Sequence, residues 1–227
     1  MSINYQQSRA AKNNILGKLK KQVVGADYDK LPAEYGYQYP ELSKAEQLSQ
    51  FIGHLETNHA EVLQLTHTEI PQVVSQQLKL RGITKLLYGL DAPHSAQMKA
   101  LDEDIKTEVY DFELKENKEK LFNEAPASIT SSRAAIAATG TIVLWPTVSE
   151  PRTLSLVPPV HIVIVDAMQL YADFAFLIKT ESWQEKLPTN ALLISGPSKT
   201  ADIQQTLAYG AHGPKELIVL LIKKSAS

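Results

Sequence analysis

The run Val160–Val165 is the feature that most restricts the fold of this 227-residue chain. Its residues are apolar and mostly β-branched, apart from His161. A strand that faces water on one side alternates apolar and polar side chains, whereas a strand covered on both faces is apolar almost throughout. The run therefore predicts a central strand of a parallel sheet, with further layers of structure on both of its faces.

The rest of the chain alternates predicted strands and helices, which favours an α/β fold with a mostly parallel sheet covered on both sides. The other predicted strands are Glu61–Leu65, Ile83–Tyr88, Thr107–Phe112, Thr141–Leu144, Ala191–Ile194 and Leu217–Ile222. The predicted helices are 8–20, one capped at Ser43, Thr68–Leu80, Arg133–Ala138, 168–179 and one that begins at Ser198 or Thr200. We expect residues 1–60 to form a helical extension packed on the domain, and residues 61–227 to form the α/β domain.

Composition excludes several classes of function. The net charge of −2 and the pI of about 6.3 argue against a general electrostatic grip on nucleic acid. The chain has no cysteine, so disulfides, thiolate catalysis, Cys-type zinc sites and direct ligation of an iron–sulfur cluster by cysteine are excluded. The N-terminus lacks the apolar segment of a signal peptide, and no run is long enough to span a membrane. We expect a cytoplasmic protein.

The loop after the predicted strand Ala191–Ile194 is the strongest candidate for a ligand site. It combines hydroxyl groups, an ammonium group and backbone amides in Ser195, Gly196, Ser198, Lys199 and Thr200. At the start of a helix, such groups suit a small anion such as a carboxylate or a phosphate. The alternative is an ordinary strand-to-helix junction with a good cap. The phosphate-binding P-loop and the glycine-rich dinucleotide fingerprint are both absent from the sequence.

Three further places carry side chains that could act on a ligand, and each has a structural alternative. The turn Thr139, Gly140, Thr141 could bind a ligand or only connect two elements. Arg152 could hold a carboxylate in two hydrogen bonds, or it could form a surface salt bridge. His161 and His212 could exchange protons, or they could bond backbone carbonyls. The histidine spacing matches no metal-binding motif, and the sequence shows no catalytic triad.

Four segments occur in an order that resembles the LUD-domain family, in particular its branch of lactate utilisation protein C and YkgG-like proteins. The segments are Ala134–Thr141, Ser155–His161, Ile194–Ile203 and Gly210–Leu217. In this family an acidic residue usually precedes the Thr-Gly-Thr turn, whereas this chain has Ala138 there. If that acidic residue is catalytic or binds a ligand in relatives, this chain has lost the contact; if the residue is structural, its replacement changes nothing.

The resemblance implies a three-layer open α/β fold of the NagB/RpiA/CoA-transferase type. It also implies a role in the bacterial oxidation of L-lactate to pyruvate, as a subunit or accessory protein without a cluster, beside partner subunits that carry iron–sulfur clusters. The lack of cysteine fits this division of labour. The alternative is a stand-alone enzyme that acts on a phosphorylated or CoA-linked metabolite. A shared fold does not decide between them, and whether the chain is catalytic stays open.

Overall fold

The computed structural model describes residues 5–22, 39–111, 118–201, 207–209 and 213–223. The chain divides into two units, Met1–Gln38 and Tyr39–Ser227. The first unit contains the helix α1, Tyr5–Gln22. The described helices of the second unit are α2 Lys44–Thr57, α3 Ile70–Leu80, α4 Ser95–Met98, α5 Lys118–Glu124, α6 Arg152–Leu156, α7 Phe174–Thr180 and α8 Trp183–Lys186.

The described strands of the second unit form three sheets. They are β1 Glu61–Leu65, β2 Lys85–Gly89, β3 Lys106–Tyr110, β4 Ala127–Ser131, β5 Ala134–Ile136, β6 Thr141–Leu144, β7 Val160–Asp166, β8 Leu170–Tyr171, β9 Leu192–Ile194, β10 Lys199–Ala201, β11 Leu207–Tyr209 and β12 Glu216–Ile222. The sheets are a six-stranded sheet of order β1-β12-β7-β4-β2-β3, a four-stranded sheet of order β8-β5-β6-β9, and the pair β10-β11.

The six-stranded sheet is parallel at every pairing, as the sequence predicts. The apolar run Val160–Val165 lies in β7, which pairs with β4 on one side and with β12 on the other. The residues of that run are all buried. The predicted central strand and the α/β fold class are therefore confirmed.

Both faces of this sheet are covered. On one face, Ile129, Ile162 and Ile218 pack in a core cluster with Ile70, Val74 and Leu78 of α3. On the other face, a second cluster joins β7 and β12 to α2 and to the four-stranded sheet; its members include Val163, Val219, Phe51, Leu55, Ala135 and Ile142. Side chains alternate along a strand, so the two clusters take alternate residues of β7.

The capped helix predicted at Ser43 is also confirmed. The Ser43 hydroxyl accepts from the backbone N–H of Glu46, and the Glu46 carboxylate accepts from the backbone N–H of Ser43. This reciprocal pair satisfies amides that have no partner within the first turn of a helix.

The helix predicted at Arg133–Ala138 is wrong, because Ala134–Ile136 forms strand β5. Its residues pair with β6 on one side and with β8 on the other, and all three are buried. Alanine has a high helix propensity, but propensity is a weak preference that tertiary packing overrides. Small side chains let this strand lie in a core position between the larger sheet and the helix α7.

The helix predicted to begin at Ser198 or Thr200 is wrong for the described residues Lys199–Ala201, which form a strand. Lys199–Ala201 pairs antiparallel with Leu207–Tyr209, so neither segment is helical. The extended backbone of these residues finds its partners in the opposite strand rather than within a turn of helix. Residues 202–206 and 210–212, which include His212, lie outside the described part of the chain.

Two more predictions are partly wrong. Residues 168–179 are not one helix: a short 3-10 turn and the strand β8 precede α7, whose start is capped by Asp173, which accepts from the Phe176 N–H at 2.8 Å. The strand β9 exists as predicted, but it is the edge of the four-stranded sheet, and Leu193 is 50% exposed. It is therefore not a buried strand of the parallel sheet.

The order of the parallel strands reverses direction at β2 and β4. After β2, the next strand of this sheet along the chain is β3, which lies on one side of β2. After the neighbouring strand β4, the next strand of this sheet is β7, which lies on the opposite side. In open α/β sheets, connections that leave adjacent strands in opposite directions open a crevice at the carboxyl ends of those strands, where ligands commonly bind. In this chain the crevice lies at Gly89 and Ser131.

Candidate functional site

The loop between β6 and α6 lies over the carboxyl end of β2. A Cβ atom on Gly89, the last residue of β2, would overlap the carbonyl oxygen of Ser149. The close approach of the loop therefore requires glycine at this position. The loop also folds back on itself, because the Thr147 N–H donates to the Glu150 carbonyl at 3.1 Å and the Glu150 N–H donates to Thr147 Oγ1 at 3.0 Å.

The first residue of this loop is anchored in the second layer. The ring of Trp145 meets the ring of Trp183 edge to face, with centroids 5.4 Å apart. The guanidinium of Arg133 lies 5.4 Å from the centre of the Trp145 ring and also donates to Glu181 at 3.0 Å. Aromatic and cation–π contacts of this kind fix both the position and the orientation of a ring.

Glu150 places a carboxyl group at the end of β4. Its Oε1 accepts from the backbone N–H of Ser131 at 2.9 Å and from the Ser131 hydroxyl at 3.3 Å. Burial raises the pKa of Glu150 to about 7, although the two hydrogen bonds from Ser131 act in the opposite direction. Desolvation disfavours the charged form, and no charged neighbour among the described residues offsets it. Glu150 is therefore in part protonated near neutral pH.

Two small cavities flank the Glu150 side chain. Each has a volume of about 10 Å³, close to the room that one water molecule needs. Both are lined by Thr130, Ser131 and Glu150. The first also contacts Tyr88 and His94, among others, and the second contacts Leu144, Trp145, Pro146 and Ser155. The two cavities thus share Glu150 in their linings.

His161 lies beneath this region and is 1% exposed. Its Nε2 lies 2.8 Å from Oγ1 of Thr130, while its Nδ1 has no hydrogen-bond partner among the described residues. Burial lowers the pKa of His161 to about 3, so the ring is neutral at physiological pH. The structure therefore places this predicted ligand residue inside the sheet, where it supports Thr130.

Five of the predicted site residues do come together, around the turn between β5 and β6. Oγ1 of Thr141 lies 2.6 Å from Oγ1 of Thr139 and 2.7 Å from Oγ of Ser195. Gly140 and Gly196 belong to the same two loops. We call Thr139, Thr141 and Ser195 the hydroxyl cluster. The turn Thr139–Thr141 connects two strands, not a helix and a strand.

The two glycines of this region lie against the end of α2. A Cβ atom on Gly140 would overlap the Cβ of His54, and one on Gly196 would come within 2.9 Å of the Asn58 carbonyl oxygen. Gly140 also has a φ of 57°, which side chains rarely adopt. The C-terminal end of a helix carries the negative pole of its dipole, which disfavours an anion beside it. These contacts give the glycines a packing role.

The remaining predicted site residues lie apart. Arg152 is the exposed first residue of α6. Ser198 donates its N–H to the Pro214 carbonyl at 2.8 Å. Lys199 and Thr200 belong to β10, and thus not to the first turn of a helix. The helix N-terminus that was expected to favour an anion there is absent from the described residues of this loop.

Glu150 is the residue that the sequence patterns missed. A signal exists, since Glu150 is the single charged residue between Arg133 and Arg152. A carboxylate inside an apolar stretch that also contains a strand and a Trp-Pro pair is a candidate for burial. The strand β4 was missed for a related reason, because its polar residues Ser128 and Thr130 conceal its burial.

The described residues contain neither a cluster of metal ligands nor a membrane-spanning helix. No group of three or more His, Cys, Asp or Glu side chains there could hold a metal ion. None of the helices in that part of the chain has both the length and the apolar character needed to cross a membrane.

Comparison with known proteins identifies the family. The sequence model of the LUD domain matches residues 48–222, which is most of the chain. This protein belongs to the LUD-domain family, which confirms the resemblance found in the sequence.

Several relatives have names, and one has a solved structure. An uncharacterized protein of Neisseria meningitidis serogroup B is 37% identical, over 94% of both chains. The lactate utilization protein C of Macrococcus caseolyticus is 28% identical over 72% of both chains, and lactate utilization protein C 1 of Bacillus mycoides is 26% identical over 80% of this chain and 81% of the relative. A crystal structure of a DUF162-family protein from Deinococcus radiodurans aligns with a TM-score of 0.61 at 23% identity, covering 81% of this chain and all of that one. The last likeness supports the fold alone.

Proposed function

We propose that this protein takes part in lactate utilisation, as a cytoplasmic subunit or accessory protein of a system that oxidises L-lactate to pyruvate. The observation that carries the proposal is the match to relatives named lactate utilization protein C across roughly three quarters of both chains. The family match over residues 48–222 supports it.

Oxidation of lactate releases electrons that need a redox group. This chain has no cysteine with which to hold an iron–sulfur cluster by thiolates. We therefore propose that partner subunits carry the clusters and that this chain binds a small anionic metabolite.

The place proposed for that metabolite is the loop after β9, through Ser195, Gly196, Ser198, Lys199 and Thr200. At this place the positive charge of Lys199 has to outweigh the unfavourable C-terminal pole of α2, against which Gly196 packs. Its support is the hydroxyl cluster at the base of the loop and the ammonium group of Lys199. The cluster hydroxyls bond to one another, so a ligand would have to exchange these hydrogen bonds for its own. Lys199→Ala then weakens ligand binding more than Ser195→Ala does, because it removes the charge.

An anaerobic pull-down of the tagged full-length protein from its native host tests the partner proposal. Recovery of iron–sulfur proteins by mass spectrometry, together with lactate oxidation by the recovered complex and not by this chain alone, is the expected result. Turnover of lactate by the purified chain, or recovery of this chain without iron–sulfur proteins, contradicts it.

A second candidate is a stand-alone enzyme that acts on a phosphorylated or CoA-linked metabolite. The observation that favours it is the buried carboxyl group of Glu150 at the crevice, because groups with perturbed pKa values concentrate at active sites. This candidate predicts a rise in Tm with such metabolites in the absence of any partner, and loss of that rise in Lys199→Ala. An unchanged rise in the variant counts against the loop as its binding site.

A further inference from the structure

We propose that the helix α1 is an interaction helix, which docks on a second copy of this chain in a groove beside α3. The groove lies between α3 and the segment that joins α4 to β3, and we call it the α3 groove. The contact needs no ligand and does not depend on the role in lactate utilisation.

The described side chains of α1, from residue 11 to residue 21, are all exposed. Three of them are large and apolar: Ile15 is 59% exposed, Leu16 41% and Leu19 53%. Their spacing places them on one side of the helix. A contiguous apolar stripe that the chain leaves open to solvent is typical of a surface that binds another molecule.

The composition of α1 indicates that the helix needs such a partner. Gly17, Asn13 and Asn14 are poor helix formers. The helix has five basic residues and no acidic residue, so ion pairs between its turns cannot support it. Isolated helices of this length are marginal in water, and most helices in proteins are stabilised by the packing of an apolar face. We therefore expect α1 to pack against a surface.

The charge of α1 restricts what that surface can be. Lys12 and Lys20 lie one turn before and one turn after Leu16, so they border the apolar stripe. The partner surface must therefore combine apolar area with negative charge. The α1 helix of a second copy does not qualify, because two helices that carry only basic charges repel each other.

The α3 groove has the required shape and apolar area. It is open and has a volume of about 810 Å³, within the range of about 300–1,000 Å³ that is usual for ligand pockets. Its apolar lining includes Pro71, Ala100 and Leu80, of which Leu80 is 71% exposed. An amphipathic helix binds such a groove through a few apolar anchors.

The lengths of the two surfaces also match. The residues of α3 that line the groove run from Pro71 to Leu80, about 14 Å along the helix axis at 1.5 Å per residue. The stripe on α1 with its bordering lysines runs from Lys12 to Lys20, about 12 Å along its axis.

The rim of the α3 groove is acidic. Asp102, Glu103 and Asp104 are consecutive and exposed. Lys79 pairs with Asp102 and, at 3.2 Å, with Asp104, so it offsets only part of this charge. With the exposed Lys99 counted as well, the acidic groups of the rim still exceed the basic ones. The basic helix α1 and this rim are therefore complementary in charge.

The proposed contact joins two different surfaces, and every copy of the chain carries both. Two copies that each place α1 in the groove of the other form a closed dimer. The N-terminal part of the extension predicted from the sequence thus packs on the domain of a second copy. One helix in one groove buries little area, so we expect weak association, with a Kd in the micromolar range.

Sedimentation velocity of the full-length protein over a range of concentrations tests the contact. The wild type should associate reversibly, and the association should weaken as salt is added. Leu19→Glu in α1 and Leu80→Glu in the groove should each raise the apparent Kd by at least about tenfold, because each places a charge in the apolar contact. The matched control is Leu187→Glu, at a position that is 68% exposed and outside both surfaces, which should associate like the wild type.

A mixture of the two weakened variants gives the sharper result. Leu19→Glu keeps an intact groove and Leu80→Glu keeps an intact α1, so the mixture should form heterodimers although each variant alone stays monomeric. A contact between two α1 helices, or between two grooves, cannot restore association in this way. Both substituted positions are exposed, and circular dichroism checks that the variants keep their fold.

Three results would overturn the proposal: a wild type that stays monomeric at every concentration, association that Leu80→Glu leaves unchanged, or a mixture that does not associate. A monomeric wild type that binds vesicles containing phosphatidylserine, and loses this binding in Leu19→Glu, would identify an anionic lipid surface as the partner of α1 and would contradict docking on a second copy.

Discussion

The Nε2 atom of His161 lies 2.8 Å from Oγ1 of Thr130, across two neighbouring strands of the parallel sheet. Both residues are buried, and Nδ1 of His161 has no partner among the described residues. One hydrogen bond thus holds a neutral imidazole in a core where every other member of the run Val160–Val165 is aliphatic. Such an isolated polar pair is sensitive to the loss of either partner.

A double-mutant cycle on this pair should show strong coupling. Thr130→Val and His161→Leu should each lower the free energy of unfolding by about 1–3 kcal/mol, because each leaves a buried polar group without its partner. The double variant should lose less than the sum of the two single losses, because it leaves no unpaired group. Urea denaturation of the four proteins measures the cycle, and strictly additive losses would contradict the contact.

The burial of His161 should make the protein sensitive to acid. Its pKa is lowered to about 3 in the native state, against about 6.5 in the unfolded chain. Its contribution to stability is fully present above pH 6.5 and is lost as the pH falls toward 3, because the unfolded state takes up the proton first. The free energy of unfolding of each protein is compared with its own value at neutral pH. At about pH 5 the wild type should have lost about 2 kcal/mol more than His161→Leu.

Equal losses in the two proteins on acidification would contradict the buried neutral state of His161.

Glu150 should have the opposite effect on the alkaline side. Its pKa is raised to about 7 in the native state, so its contribution is fully present below the unfolded value of about 4.5 and is lost as the pH rises through 7. Glu150→Gln cannot ionise and still accepts from the Ser131 N–H. The variant should therefore gain stability over the wild type as the pH rises, by about 1–3 kcal/mol at pH 8. Thermal unfolding across this range measures the difference in stability between the two proteins. A difference that does not change with pH would contradict the raised pKa of Glu150 in the native state.

Gly140 and Gly53 form a matched pair for the packing of α2. Gly140→Ala should lower the free energy of unfolding by more than about 1 kcal/mol, because its Cβ would overlap His54 and its φ is positive. Gly53 lies in the interior of α2 with open space around it. Gly53→Ala should stabilise the protein by about 0.5–1 kcal/mol. Equal effects at the two positions would contradict the close approach of the β5–β6 turn to α2.

The parallel sheet could be predicted because the residues within each of its main strands are sufficient to indicate a buried strand. The runs that became β7 and β12 are apolar and β-branched, and their type follows from burial on both faces. The start of α2 follows from the side chains of Ser43 and Glu46, which act within one turn. Local chemistry determines these elements.

The four-stranded sheet could not be predicted in the same way. The alanines of β5 have the composition of a helix, and the strand forms because β6 and β8 lie on either side of it. The segment at Lys199 likewise depends on a partner strand that begins at Leu207. These elements are determined by pairing with strands that are distant in the sequence. The residues next to each segment in the sequence therefore do not predict its structure.

The candidate site shows the same division. The hydroxyl groups of Thr139, Thr141 and Ser195 were predicted from two separate loops and do meet. Glu150 was missed because its environment is made by β2, β4 and the loop together. The identity of the ligand-binding residues stays a prediction that the experiments above address.

The central claim, a role in lactate utilisation, is tested most directly by growth of the native host. An in-frame deletion of the gene should abolish or strongly slow growth on L-lactate as the sole carbon source while leaving growth on pyruvate unchanged. The wild-type gene supplied in trans should restore growth on lactate. Normal growth of the deletion strain on L-lactate, or an equal defect on lactate and on pyruvate, would contradict the claim.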